Sequence, residues 1–184
     1  MTADAEVWRP LAALLPPAPA REVMDCWSVG EQESAIALLV SALLAHDLTI
    51  SGYDRAQLSV LAEMWGQREA TEEQLLRCRA LPHDDSPLRL LAPTEPLAPG
   101  NGFPGHPADS PDLLVVPWIT CARCGQTLGR VHRREPWGDL SFSAVHYPLW
   151  SPGATAPSRV FATGAEQEAF DALASCPCGK PPGA

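Results

Sequence analysis

The chain has 184 residues, 46% of them hydrophobic and 19% charged, which is enough for one mid-sized or two small packed cores and is not a disordered composition. Its formal charge is −9, which repels phosphate backbones and argues against nucleic-acid binding as the main activity. The first 92 residues carry 14 acidic and 7 basic side chains and the remainder 8 and 6, net −7 against −2, so the first half suits a basic protein partner or simple solubility.

The opening residues, MTADAEVWRP, have neither a basic segment nor an apolar one, and the longest apolar run, 35–45, is too short to span a bilayer. The expectation is a cytoplasmic protein with no membrane role. Arg supplies 12 of the 13 basic residues and Ala and Pro are abundant, as in a high-GC bacterial genome. In a cytosol, cysteines are expected as thiols or metal ligands rather than disulfides.

Taken in order, 7–15 and 20–27 read as short helical pieces, separated by Pro16-Pro17. The clearest helix is predicted over 31–46, where Ile36, Leu39, Val40, Leu43 and Leu44 form one stripe at helical spacing. Glu31 and Glu33 fall in its first turn, the end that favours acids. A second helix is predicted over 53–65, with Leu58, Leu61 and Trp65 on one face, Ser51 or Asp54 as its cap and Gly66 closing it. Thr71-Glu-Glu-Gln74 reads as a capping box, placing a third helix over 72–79. Short connections favour antiparallel neighbours in a small bundle. Residues 88–91 read as a strand or an extended exit, and the Pro/Gly-rich stretch 93–112 reads as a linker that isolates His106 in a loop.

The second half changes period. Residues 113–120 are apolar and β-rich, and Pro117 within them points to an edge or a bulge. Alternation over 127–132 and 140–149, around a turn at 136–139, predicts a hairpin. A short strand over 159–162 and an amphipathic helix over 165–173 follow.

The most specific chemical feature is Cys121-Ala-Arg-Cys124-Gly125, with Cys176-Pro-Cys178-Gly179 as its partner. A CxxC turn followed by glycine aims two thiolates at one point. Cys121, Cys124, Cys176 and Cys178 would complete the tetrahedral set that structural zinc requires. The second pair is one residue shorter than usual, and 51 residues separate the pairs. Free thiols and a redox pair are the alternatives, and His132 and His146 are reserve ligands. Cys26 and Cys78 lie on apolar helical faces and read as core residues. The chain contains no HExxH, P-loop, GxGxxG, nucleophile-elbow or zinc-deaminase pattern, and four cysteine ligands leave zinc no open position, so no enzyme activity is expected. His83-Asp84-Asp85 reads as a polar turn.

In the first half, Trp27, Glu31 and Glu33 form an aromatic and acidic strip at a helix start. With Asp54 and Glu63 they are the candidate partner contacts, Trp27 serving as a possible anchor. Trp27 as a core residue beside helix-end charges is the other reading.

The text SAIALLVSALLAHDLTISGYDRAQLSVLAEMWG, within 31–66, resembles the small helical immunity proteins of bacterial polymorphic-toxin systems. That resemblance covers about a fifth of the chain and implies a single-partner inhibitor that occludes a toxin domain, with no catalytic residues. The expected fold is α+β: a helical domain over 1–92, the linker 93–112, and a zinc-ribbon-like antiparallel β domain over 113–184 with a C-terminal helix. The leading expectation is a non-enzymatic binding protein of the immunity type. The alternative is a zinc-ribbon accessory or regulatory protein that contacts nucleic acid or a larger complex through Arg123, Arg130, Arg133 and Arg134.

Overall fold

The computed structural model describes residues 5–94, 112–154 and 156–176. The chain forms two compact units, Met1–Ser86 and Pro87–Ala184.

The first unit is helical. It contains α1 (Ala5–Ala12), α2 (Pro17–Ser28), α3 (Gln32–Ala45), α4 (Gly52–Met64) and α5 (Arg68–Arg77). Pro17 opens α2 at a position where its missing amide costs nothing. The stripe expected on α3 is buried at Ile36, Leu39, Val40 and Leu43. The second predicted helix has its capping as read: Ser51 Oγ accepts from the Asp54 amide and donates to Asp54 Oδ2 at 2.6 Å, and Gly66 follows the helix at φ +64°. The burial of α4 exceeds the expected single face, because every residue from Ala56 to Ala62 is buried. It is therefore the central helix of the unit, surrounded rather than half-exposed.

The third helix starts earlier than its sequence suggests. Thr71 lies inside α5 and its hydroxyl donates back to the Gln67 carbonyl at 2.7 Å, so it bonds one turn upstream and does not cap. At the other end of α5, the Arg55 guanidinium donates to the carbonyls of Leu75, Leu76 and Cys78 at 2.9, 3.2 and 2.7 Å. These are the carbonyls a helix C-terminus leaves without partners, and a cation is the favoured group there. Two-residue strands β1 (Thr49–Ile50) and β2 (Arg79–Ala80) pair in parallel beside this junction. Asp84 accepts from the Gly52 and Ser86 amides, which makes His83-Asp84-Asp85 a structural turn.

Burial pushes the Cys78 thiol above its ordinary 9.0, outweighing the Arg55 charge and a backbone amide, which pull it down. A thiol whose folded pKa is raised contributes stability at low pH that is lost as the pH climbs through that raised value. The helical unit is thus expected to lose stability as the pH rises past the ordinary thiol value of 9.0, as urea denaturation at each pH will show. An equal loss in a Cys78→Ala variant would place the effect elsewhere.

The second unit is a five-stranded antiparallel sheet in the order β3 (Leu88–Leu90), β4 (Leu113–Cys121), β5 (Thr127–Arg133), β6 (His146–Trp150), β7 (Arg159–Ala162), followed by α6 (Glu166–Ala174). Leu88–Leu90 pairs with the end of β4, so these residues belong to the sheet unit and the division falls at Ser86 rather than at residue 92. The linker stretch from 95 to 111 lies outside the described residues.

Pro117 sits on an interior strand. The register with β5 shifts between Pro117 and Ile119, and that irregularity is how the ladder tolerates a residue without an amide. Residues 140–145 are irregular rather than extended, and only 146–150 form the expected strand. Trp118, Leu128, Val131, Tyr147, Phe170 and Leu173 build the core, each at most 2% exposed. The α6 helix docks through Ala169, Phe170 and Leu173 and through a buried polar contact, in which Tyr147 donates to Glu166 Oε1 at 2.9 Å. No helix among the described residues is long and apolar enough to cross a membrane.

Candidate metal centre

The cysteine centre is built where β4 turns into β5. Cys121 is the last residue of β4 and is 1% exposed. The turn is closed on itself: the Cys121 amide donates to the Gln126 carbonyl at 2.8 Å and the Gly125 amide to the Cys121 carbonyl at 2.7 Å. The Ala122 amide is held by the Pro87 carbonyl at 2.7 Å. Thr127 and Thr120 add hydroxyl bonds to the Gly125 and Gln126 carbonyls. These bonds close the turn at both ends and so restrict where the two thiols point.

Gly125 is required twice over. Its φ is +70°, a region unfavourable for residues with a Cβ. An added Cβ would also lie 2.6 Å from Pro152 Cγ. Gly125→Ala is expected to cost the sheet unit about 1–3 kcal/mol from strain and overpacking and to weaken metal affinity. Thermal unfolding and a metal titration of the variant will show both; an unchanged transition would mean the turn is softer than its contacts indicate.

The third ligand arrives from α6. Cys176 follows the helix by one turn residue, and its amide donates to the Leu173 carbonyl at 3.2 Å. Its sulfur lies 3.2 Å from Cys124 Sγ. The sulfurs of Cys121, Cys124 and Cys176 all lie within 4.8 Å of one another, and together they can hold a metal ion. Cys178, the expected fourth ligand, lies outside the described residues.

Zinc–thiolate bonds of about 2.3 Å in a tetrahedron separate the sulfurs by roughly 3.8 Å. The observed spacing brackets that value, so an ion requires only a small spreading of the Cys124–Cys176 pair. Metal binding by all three requires each sulfur as a thiolate.

The local electrostatics favour a thiolate. Burial alone would raise the Cys121 thiol, but the amides of Cys124 and Arg123, the Cys124 thiol and the Arg123 charge together hold it below the ordinary range. Cys124 moves the opposite way, raised by burial and by the Cys121 sulfur beside it. One proton of the pair is thus released readily, and a bound cation would favour losing the second.

The reserve ligands are elsewhere. His132 is fully buried near the opposite end of β5, where its Nδ1 donates to the Ser141 carbonyl at 2.8 Å. At about 3.3 Å per strand residue it is more than 15 Å from the cysteine turn. His146 pairs with Val131 at that same far end. The arginines do not form one patch either. Arg123 is on the cysteine turn, Arg133 and Arg134 are at the opposite end of β5, and Arg130 is only 2% exposed, its guanidinium 5.1 Å from the Trp118 ring.

The helical unit sorts the expected partner contacts. Trp27 is half-buried at the end of α2, and Glu31 and Glu33 are exposed at the start of α3, so these three share the α2–α3 turn. Val29 in that turn is 71% exposed, and Asp25 beside it is exposed too. Asp54 is at the far end of α3, committed to the Ser51 cap. The Glu63 side chain is 4% exposed and ion-paired with Arg68 at 3.4 Å, which leaves no accessible carboxylate for a partner. Sequence reasoning missed Val29: an isolated apolar residue before Gly30 gives no periodic signal, and its exposure follows from the turn geometry. Cys78 is buried as expected, and Cys26 is partly exposed. Comparison with known proteins finds no matching family model, curated protein or solved structure.

Proposed function

We propose that the protein is a non-enzymatic binding protein of the immunity type, which occludes a basic partner domain with the α2–α3 turn of its helical unit. The observation that carries this reading is the composition of that turn: Val29 at 71% exposure stands among exposed Asp25, Glu31 and Glu33, next to Trp27. An apolar contact ringed by one sign of charge suits a partner of the opposite sign, which the net charge of −9 also favours. In the same reading the ion held by Cys121, Cys124, Cys176 and Cys178 is zinc, and its role is structural. Four thiolates fill the tetrahedron and leave no site for substrate or water. Nucleic-acid binding has less support, since Arg130 is buried, Arg123 lies at one end of β5, and Arg133 and Arg134 lie at the other.

The test is to search the neighbouring genes for a toxin domain and to co-express it with this chain. Cells carrying that domain are expected to survive only with this chain present. An Asp25→Lys/Glu31→Lys/Glu33→Lys variant is expected to lose about 100-fold in affinity. Its fold should survive, because unfavourable helix-end charges cost only about 0.3–1 kcal/mol each. A wild-type chain that neither binds nor protects would end this reading.

A further inference from the structure

We propose that the cysteine centre is a redox-gated metal site: reduced, it holds the ion, and oxidation at Cys176 expels it. The proposal rests on reading the cluster as a zinc site and adds how that site is regulated. The geometry of the cluster carries it. The sulfurs of Cys124 and Cys176 lie 3.2 Å apart and both residues reach the surface, while Cys121, within 4.8 Å of them, is buried. The ligand is a thiolate, and a sulfur in a disulfide has no such charge to offer a divalent cation. The oxidised state and the metal-bound state therefore exclude each other.

The chemistry requires an oxidant, and the class that fits two adjacent accessible thiolates is a peroxide. The Cys176 thiolate attacks a peroxide oxygen, the O–O bond breaks, hydroxide leaves and a sulfenic acid remains. A second thiolate of the cluster attacks that sulfur, an S–S bond forms, the S–O bond breaks and a second hydroxide leaves. Two thiolates have given up two electrons to one peroxide. The ion has lost two of its ligands and departs as the divalent cation. A dithiol reductant reverses the change: its thiolate attacks the disulfide, a mixed disulfide forms, and the second reductant thiol closes on the first to release both protein thiolates.

The gate has a mechanical consequence. The centre ties the residue just beyond α6 to the β4–β5 turn, which is the opposite end of the sheet from residues 134–145. Losing the ion releases Cys121, while the disulfide from Cys176 to Cys124 keeps the end of α6 on that turn and Phe170 and Leu173 keep its body docked. The oxidised unit thus loses the ion and stays folded at its core.

The experiment uses the wild-type full chain, so no variant has to fold. Zinc is measured by elemental analysis after purification under reducing conditions. Peroxide is then added with a chromogenic chelator present, and disulfides are mapped by peptide analysis without reduction. The expected result is a fall from about one zinc per chain to none, a new disulfide at Cys176, and recovery on adding dithiol and zinc. Zinc retained after peroxide, or released with no disulfide at Cys176, overturns the gate and leaves the structural zinc standing. Reduced protein that holds no zinc overturns the zinc reading, and the gate with it.

Discussion

Replacing Cys121 with serine is expected to abolish metal binding and to lower the stability of the sheet unit by several kcal/mol, on the order of 4 or more. Cys121 is the most buried of the three clustered cysteines and ends the strand that pairs with both β3 and β5. Without the zinc proposed above, the turn would retain its own hydrogen bonds but lose a metal link to the end of α6. Apparent zinc-binding energies of about 10–16 kcal/mol unfold small apo domains outright. This unit has a core of its own in Trp118, Leu128, Val131, Tyr147 and Phe170, so it is expected to melt early rather than to be unfolded from the start. For a unit of this size, 4 kcal/mol corresponds to roughly 16–30 °C in melting temperature. Calorimetry can follow the two units separately, and only the transition of the sheet unit should move. A Cys121→Ser protein with normal zinc content, or with both transitions unchanged, would show that the cysteine cluster does not staple the fold.

Trp118→Ala is the second large effect. Trp118 is fully buried at the β4 irregularity, with its ring centroid 5.8 Å from that of Tyr147 and the Arg130 guanidinium 5.1 Å above it. Truncating a buried aromatic of this size costs about 3–5 kcal/mol, because the surrounding structure collapses only partly into the cavity. Here the loss goes beyond volume. Arg130 is 2% exposed, and removing the ring takes an electron-rich face from a charge that water cannot reach, a contact worth up to about 2 kcal/mol when desolvated. The variant is expected to lose the cooperative unfolding of the sheet unit, while Trp118→Phe, which retains an aromatic face, recovers more than half of the loss. Chemical denaturation followed by the remaining tryptophans distinguishes the two. Equal stability of the alanine and phenylalanine variants would reduce the interaction to simple burial.

What was readable in the sequence follows from how local each signal is. The α3 stripe at Ile36, Leu39, Val40 and Leu43, the Ser51–Asp54 cap and the Gly66 stop all act within two turns of chain, so spacing alone determined them. The β4 and β5 strands were likewise visible in their apolar, β-branched composition. Thr71 misled because a hydroxyl four residues into a helix and one at its start look alike until the backbone is known. Residues 140–145 alternate like a strand, yet their backbone is drawn away at Ser141, which donates its amide to the Arg133 carbonyl and accepts from His132 Nδ1.

The candidate site divides in the same way. The sequence by itself determined that two short cysteine pairs could serve one ion, that acidity is concentrated in the first half, and that Glu31, Glu33 and Trp27 lie at a helix boundary. It did not determine which of these residues meet. Bringing Cys176 to within 3.2 Å of Cys124 depends on α6 folding back on the sheet through Phe170 and Leu173, a contact across some fifty residues that no local pattern encodes. The tertiary structure also decided which charges are accessible. Arg130 and Glu63 read as surface groups because arginine and glutamate usually are. They are buried because Trp118 in one unit and Arg68 in the other supply partners that offset desolvation. Residue type sets the cost of burying a group, and only the assembled neighbours decide whether that cost is met.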